Sequence, residues 1–399
     1  MLTYFEIYII INREKKMENE IIAGNLLRLR KAKKLSQQQV AAAAGISRVG
    51  YRKIENRESK PRVDTLKAIA SALSVGIQEL VSPVNELSHV RFRSQKTFNN
   101  REQILAEIGE KLENYSELEN LLNLQIDNKL AKIKLFPGGK KNPQEVANRV
   151  RKQFKLTADE PIINICGLLE ANGVKVISVR RTSENFFGLS VSALDGGPAV
   201  IVNTWERIPV ERWIFTAVHE LGHLILHLPA YDVREIDEDK EEEKEANLFA
   251  SYFLMPQEAF LREWQNTYGL PMIERVLKIK RIFKVSYKTI LYRLQENNPR
   301  LNIWQLFHNE YWAQYKKSLS QKEEPEALGA KNYSGIISEG SKSQEPDVLS
   351  PREFQCERLW FLVRKGIEAG KITLSRGAEI LGLPLIKMRE LTRSWEAGI

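Results

Sequence analysis

Residues Phe215–Leu228 read FTAVHELGHLILHL. The chain holds five histidines in 399 residues, and three of them fall here, at His219, His223 and His227. In a helix, positions i and i+4 lie on one face. His219 and His223 can therefore turn two imidazole nitrogens toward a single metal ion. Glu220 projects beside them, placed to take a proton from a water that the ion holds. This is the HExxH arrangement, in which two histidines bind the metal and the glutamate is the general base. The plainer reading is a helix whose histidines line a wet surface. A chain this poor in histidine seldom produces the pattern by chance.

A zinc site for hydrolysis takes three protein ligands and keeps one position open for water. Nineteen residues, Leu224–Glu242, separate His223 from Glu243. That length lets one helix end near Pro229, a loop cross, and a second helix pack back. Within EEEKEANLFA, Glu241–Ala250, Glu243 is followed four residues on by Asn247, then by Ala250 and Leu254 on the same face. An amide at that spacing could hold a histidine's other nitrogen. Glu243 is the preferred third ligand, and Glu245, whose face carries Phe249, is the alternative. The remaining glutamates suit a helix N-terminus, where negative charge meets the helix dipole.

Upstream, PIINICGLLEANGVKVISVRR predicts a helix, a turn at Gly173 and a strand. FFGLSVSAL and PAVIVN predict two more strands, with the turn signal DGG between them. The strand at PAVIVN is expected to be able to take a peptide along its edge. These segments, with EANLFASYFLMP downstream, resemble the ImmA/IrrE family of bacterial metallopeptidases over roughly residues 160–295. The spacing is similar to that of thermolysin-like enzymes, in which a distant glutamate completes HExxH. The resemblance implies His219, His223 and Glu243 as metal ligands and Glu220 as general base. It implies Zn2+, with Mn2+ as the other candidate, and it leaves His227, one turn further on, outside the ligand set.

A second motif lies near the start. LSQQQVAAAAGISRVGYRKIEN, Leu35–Asn56, has the layout of a helix-turn-helix, broken at Gly45 and resumed from Ser47 as N-cap. Leu35, Val40, Ala41, Ile46 and Ile54 fall where two crossed helices would bury them. Gly50 weakens the second helix by about 1 kcal/mol relative to alanine. Between Glu20 and Ser82 there are 12 Lys/Arg against 5 Asp/Glu, so much of the net charge of +9 is concentrated there. The spacing resembles the phage-repressor (XRE) type over about residues 21–81. On that resemblance Arg30 and Glu55 form an internal ion pair, and Gln37 donates to a phosphate. Ser47, Arg48, Val49 and Lys53 face the major groove, with Arg48 suited to a bidentate guanine contact.

The fold expected is mostly α with a small β-sheet. Residues 1–19 are read as an extension, with Met17 as a plausible start. A five-helix helix-turn-helix domain follows at 20–82, a helical connector at 83–158, and a zincin-like α+β metallopeptidase domain at 159–315. Polar residues 316–350 are read as a flexible linker, and 351–399 as a small helical module of helix-turn-helix type. Hydrophobic content of 43% and charged content of 28% are ordinary for a globular protein. The two cysteines, Cys166 and Cys356, cannot supply a thiolate metal cluster and suit a reducing cytosol. YFEIYIIIN is too short to span a bilayer.

The function expected is a cytoplasmic, DNA-bound zinc endopeptidase that cuts a repressor or antitoxin. Its partners would be double-stranded operator DNA, that protein substrate and a second copy of itself across half-sites, with no membrane. The competing expectation is a transcription regulator or toxin–antitoxin component that uses the peptidase fold to sense or bind without hydrolysis. The presence of Glu220, which binding alone does not require, favours the enzyme.

Overall fold

A computed structural model describes residues 21–27, 29–31, 33, 35–81, 87, 90–93, 101–133, 142–157, 159–183, 185–227, 239–322 and 343–396. The expected extension at 1–19, with Met17, lies outside the described residues, as do the loop after the histidine helix and the middle of the expected linker. The described residues fall into two compact units. One is drawn from 1–86 and 99–110, the other from 87–98 and 111–399.

The first unit contains the five short helices expected. These are α1, over residues 21–27 and 29–31, then α2 (Gln37–Ala43), α3 (Arg48–Glu55), α4 (Val63–Ala72) and α5 (Ile77–Val81). Ser36 starts α2 with a capping box: its Oγ accepts from the Gln39 N–H, while Gln39 Oε1 accepts from the Ser36 N–H at 2.8 Å. The chain then turns on Gly45 at φ +66°. A residue with a Cβ loses roughly 1–2 kcal/mol in that left-handed conformation. Ser47 caps α3 by accepting from the Gly50 N–H at 3.0 Å. Val40, Ala41 and Ile54 are buried with Leu26, Tyr51 and Ile69, and Leu35 and Ile46 pack against them, as the sequence pattern predicts.

The rest of the chain forms β1 (Val90–Arg93), α6 (Arg101–Leu122), α7 (Pro143–Gln153), α8 (Ile165–Glu170), β2 (Lys175–Val179), β3 (Gly188–Val191) and β4 (Ala199–Asn203). It continues through α9 (Val210–Leu226), α10 (Lys240–Leu254), α11 (Gln257–Asn266), α12 (Met272–Phe283), α13 (Tyr287–Asn297) and α14 (Ile303–Tyr315). Last come α15 (Arg358–Glu368), α16 (Leu374–Leu381) and α17 (Leu385–Glu396). The strands make one sheet in the order β1-β3-β4-β2. β3 runs antiparallel to both β1 and β4, and β2 runs parallel to β4. Every residue of β4 is buried, as an interior strand requires. The expected peptide edge at PAVIVN is therefore overturned, because both flanks of that strand are already paired.

α9 packs on β3, β4 and α10, and α10 packs also on α7. All of α9 except Arg212 and Phe215 is buried, which is how a helix apolar around most of its circumference behaves. Gly222 lets the two helices approach. A Cβ there would meet Phe249 Cδ1 at 2.9 Å and the Ala246 Cα at 3.4 Å.

Two expectations about the connecting segments need correction. The stretch read as a helical connector supplies the strand β1, and α7 places Val146, Ala147 and Val150 in the main core. The stretch read as a flexible linker is packed over its last described residues. Glu345 is buried against Lys280 Nζ at 3.4 Å, Lys280 also pairs with Glu211, and the Leu349 N–H donates to Glu211 Oε1 at 2.8 Å. Buried carboxylates need a cation or donors of this kind, since desolvation otherwise penalises the charge. The C-terminal helices form the expected helical module, with Leu362, Val363, Ala378 and Met388 packed against Tyr115 and Leu118 of α6. Among the described residues no helix is long and apolar enough to cross a membrane.

Candidate metal centre and nucleic-acid face

His219 and His223 stand one turn apart on α9 and are fully buried. Their Nε2 atoms lie 2.9 Å from each other. Glu243, in the first turn of α10, reaches between them: Oε2 is 3.3 Å from His219 Nε2 and Oε1 is 3.1 Å from His223 Nε2. Four-coordinate zinc with bonds of about 2.0–2.1 Å holds its ligand atoms roughly 3.3 Å apart. The three separations here fit such an ion, and the His2Glu donor set is that of a hydrolytic site. Asp239 caps α10 by accepting from the Glu241 and Glu242 N–H groups, and so fixes the turn that carries Glu243.

The outer contacts set the histidine tautomers. Asn247 Oδ1 lies 2.9 Å from His219 Nδ1, which donates to it and turns the Nε2 lone pair toward the centre. This is the contact that the spacing of Glu243 and Asn247 predicts. His223 Nδ1 lies 2.9 Å from His227 Nδ1, and His227 Nε2 lies 3.0 Å from Glu245 Oε2. A chain of donors running from His223 through His227 to Glu245 likewise points the His223 Nε2 lone pair inward. The structure thus brings Glu243 to the paired histidines and Glu245 to His227. Burial lowers the His223 imidazole to about 4, against the opposing pull of Glu243, so the ring is neutral as a metal ligand must be.

Glu220 is buried beside this cluster, and the Ser190 hydroxyl of β3 donates to its Oε2 at 2.7 Å. Arg91 of β1 pairs with Glu242 and lies 3.6 Å from Glu243. Neither Ser190 nor Arg91 stands out in the sequence. The alternation of apolar and basic residues in VRFR is a strand signal, and it marks Arg91 as facing one side of a sheet.

On the first unit, the N-cap Ser47 and Arg48, Val49 and Lys53 of α3 are exposed. Arg30 makes a bidentate pair with Glu55, at 2.8 and 2.7 Å. Gln37 differs from expectation, because its Nε2 donates to Glu55 Oε1 at 2.9 Å. One of its amide donors is thus engaged inside the motif rather than offered to a phosphate.

Comparison with known proteins supports both halves. Residues 26–80 match the helix-turn-helix family model, and residues 170–295 match a peptidase family described as the IrrE N-terminal-like domain. The HTH-type transcriptional regulator y4dJ of Sinorhizobium fredii is 37% identical over 67 residues, covering 17% of this chain and 87% of that protein. Among solved structures, the apo form of ComR from S. thermophilus is matched over 75% of this chain and 88% of that one, at 16% identity. The TM-score of 0.15 is too low to imply a shared arrangement.

Proposed function

Since the chain belongs to the family of HTH-type transcriptional regulators and carries an IrrE N-terminal-like peptidase domain, we propose that this DNA-binding regulator is also a metal-dependent endopeptidase. Its substrate is a regulatory protein, a repressor or an antitoxin. The observation that carries this reading is the convergence of His219, His223 and Glu243 within 4.8 Å, with Glu220 buried alongside.

In this reading His219, His223 and Glu243 hold Zn2+, with Mn2+ as the alternative. When bound, the ion supplies Lewis-acid polarisation of the scissile carbonyl and brings the pKa of water to about 7. Glu220 takes the proton from the attacking water. The Ser190 hydroxyl, donating to Oε2, holds the carboxylate in place for that transfer. The buried setting strengthens these electrostatic contacts and excludes competing water. α3 holds the protein on operator DNA through Arg48 and Lys53, as a cytoplasmic homodimer across half-sites. The Glu220–Ser190 bond favours hydrolysis over a sensor without chemistry, since a sensor needs neither group.

The test is metal content and proteolysis of wild type and Glu220→Gln, assayed on the product of the gene adjacent to its own. Both proteins should carry stoichiometric metal, and only the wild type should cut. Failure to bind metal on reconstitution would remove the peptidase and leave a DNA-binding regulator.

A further inference from the structure

β3 is the strand that touches the general base, through Ser190 and Glu220. One flank of β3 is paired with β4 and the other with β1. Among the described residues β1 contributes Val90–Arg93, in antiparallel register with Arg91 opposite Ser190. Neighbouring strands lie about 4.8 Å apart, so β1 runs one strand-width beyond the strand that orients Glu220. From there the Arg91 guanidinium reaches Glu242 and Glu243 on α10. A four-residue piece of this chain therefore lies along the sheet edge beside His219, His223 and Glu243, with its cation on the third of these groups.

An extended peptide adds to an exposed sheet edge through main-chain hydrogen bonds, and its alternate side chains are read by what they meet. We infer that the outer flank of β3 is the binding edge for an extended peptide segment, and that Val90–Arg93 is its resident occupant. An incoming segment must displace β1 to lie beside Glu220, and a basic side chain at the Arg91 position would inherit the pairing with Glu242 and Glu243. That the displacing segment is a substrate rests on the peptidase reading. That the edge is occupied and exchangeable does not. The pairing invites exchange: the described residues of β1 are four, their partner strand lies about a hundred residues away in sequence, and Arg91 supplies the ion pairs described for them.

The test uses the full chain with Glu220→Gln, so that bound peptide is not consumed. A fluorescent peptide with the sequence of residues 87–98 is titrated by anisotropy against Arg91→Ala, Arg91→Lys and the Arg91 parent, with metal content recorded for each. Hydrogen exchange is followed at residues 188–191. Arg91→Ala should bind the peptide at least tenfold more tightly than the parent, with faster exchange along β3. Arg91→Lys should fall between the two. Equal peptide affinity and equal exchange in all three proteins would overturn the inference and leave Arg91 as a group that only positions Glu243. With Glu220 restored, Arg91→Ala should cut labelled casein several-fold faster than wild type. If neither protein cuts casein but the peptide result stands, the peptidase reading fails while the self-occupied edge remains.

Discussion

Two stretches of this chain build the same backbone motif with different surfaces. Residues 30–55 and 367–392 align without a gap, pairing Ser36 with Thr373, Ala41 with Ala378, Gly45 with Gly382, Ile46 with Leu383 and Tyr51 with Met388. Each opens on a side-chain cap, with Ser36 Oγ accepting from the Gln39 N–H and Thr373 Oγ1 from the Arg376 N–H. Each turns on a glycine, at φ +66° and +64°. Each closes the turn with one backbone bond, Ile46 N–H to Ala41 at 3.0 Å and Leu383 N–H to Ala378 at 2.8 Å. Tyr51 and Met388 are both fully buried. The differences lie elsewhere. Arg30, Gln37 and Glu55 form a polar network in the first motif, and Ile367, Leu374 and Thr392 stand in their places in the second. The exposed Ser47, Arg48, Val49 and Lys53 become Pro384, Leu385, Ile386 and Glu390. Caps and a left-handed glycine build the scaffold, while the side chains that the scaffold leaves exposed decide what it can bind.

The sharpest way to break this parallel is Arg30→Met. It leaves the Glu55 carboxylate, whose side chain is 3% exposed, without its bidentate partner. The first motif should lose about 3 kcal/mol, read by hydrogen exchange at Tyr51, with Met388 unchanged. Next comes Arg48→Ala, which should weaken operator binding by about 1–3 kcal/mol, roughly 5- to 150-fold. Leu385→Ala and Ile386→Ala should change it by less than about twofold on the same scale. An equal loss from the second motif would show that both motifs read DNA. Gly45→Ala and Gly382→Ala should each cost about 1 kcal/mol. Among the described residues nothing lies within 4 Å of the added Cβ at either site, so the strain is that of the backbone. Unequal costs by denaturant titration would mean that the two turns are not equivalent.

A graded difference should appear with pH. Burial alone would raise the Glu55 carboxyl, but hydrogen bonds from Arg30 and Gln37 outweigh it and hold the group below its usual 4.5. The folded state then binds fewer protons than the unfolded state. The resulting stability is present above 4.5 and is lost as the pH falls through that value and below. Exchange protection, corrected for intrinsic rates, should therefore fall with acid at Tyr51 before it falls at Met388.

The legible parts of the fold and site were those with a local period. His219 and His223 are set by one helical turn, and Asn247 follows Glu243 by another. The caps at Ser36 and Ser47 and the turn at Gly45 are written in the residues that form them. Pairing between distant segments leaves no such mark. Arg91 meets Ser190 only because β1 docks on β3. Glu345 is buried only because Lys280 and the Tyr287 N–H await it, in a stretch whose polar composition reads as linker. The interior place of β4 did leave a trace: AVIV is an unbroken apolar run, which suits a strand covered on both faces better than a free edge. His227 follows His223 by one further helical turn, but its link to Glu245 crosses to α10, where spacing along one helix gives no guidance.

Gly222 sits between the two histidines, and its missing methyl lets α10 lie close against them. A Cβ there would drive against Phe249 at 2.9 Å, and α10, which carries Glu243, would have to retreat. A retreat of a few tenths of an ångström is the difference between a cage suited to bonds of about 2.0–2.1 Å and one suited to about 2.3–2.6 Å. In the proposed metal reading, the size of ion that fits is thus gauged by a residue that coordinates none. Gly222→Ala would widen that gauge while leaving every donor in place.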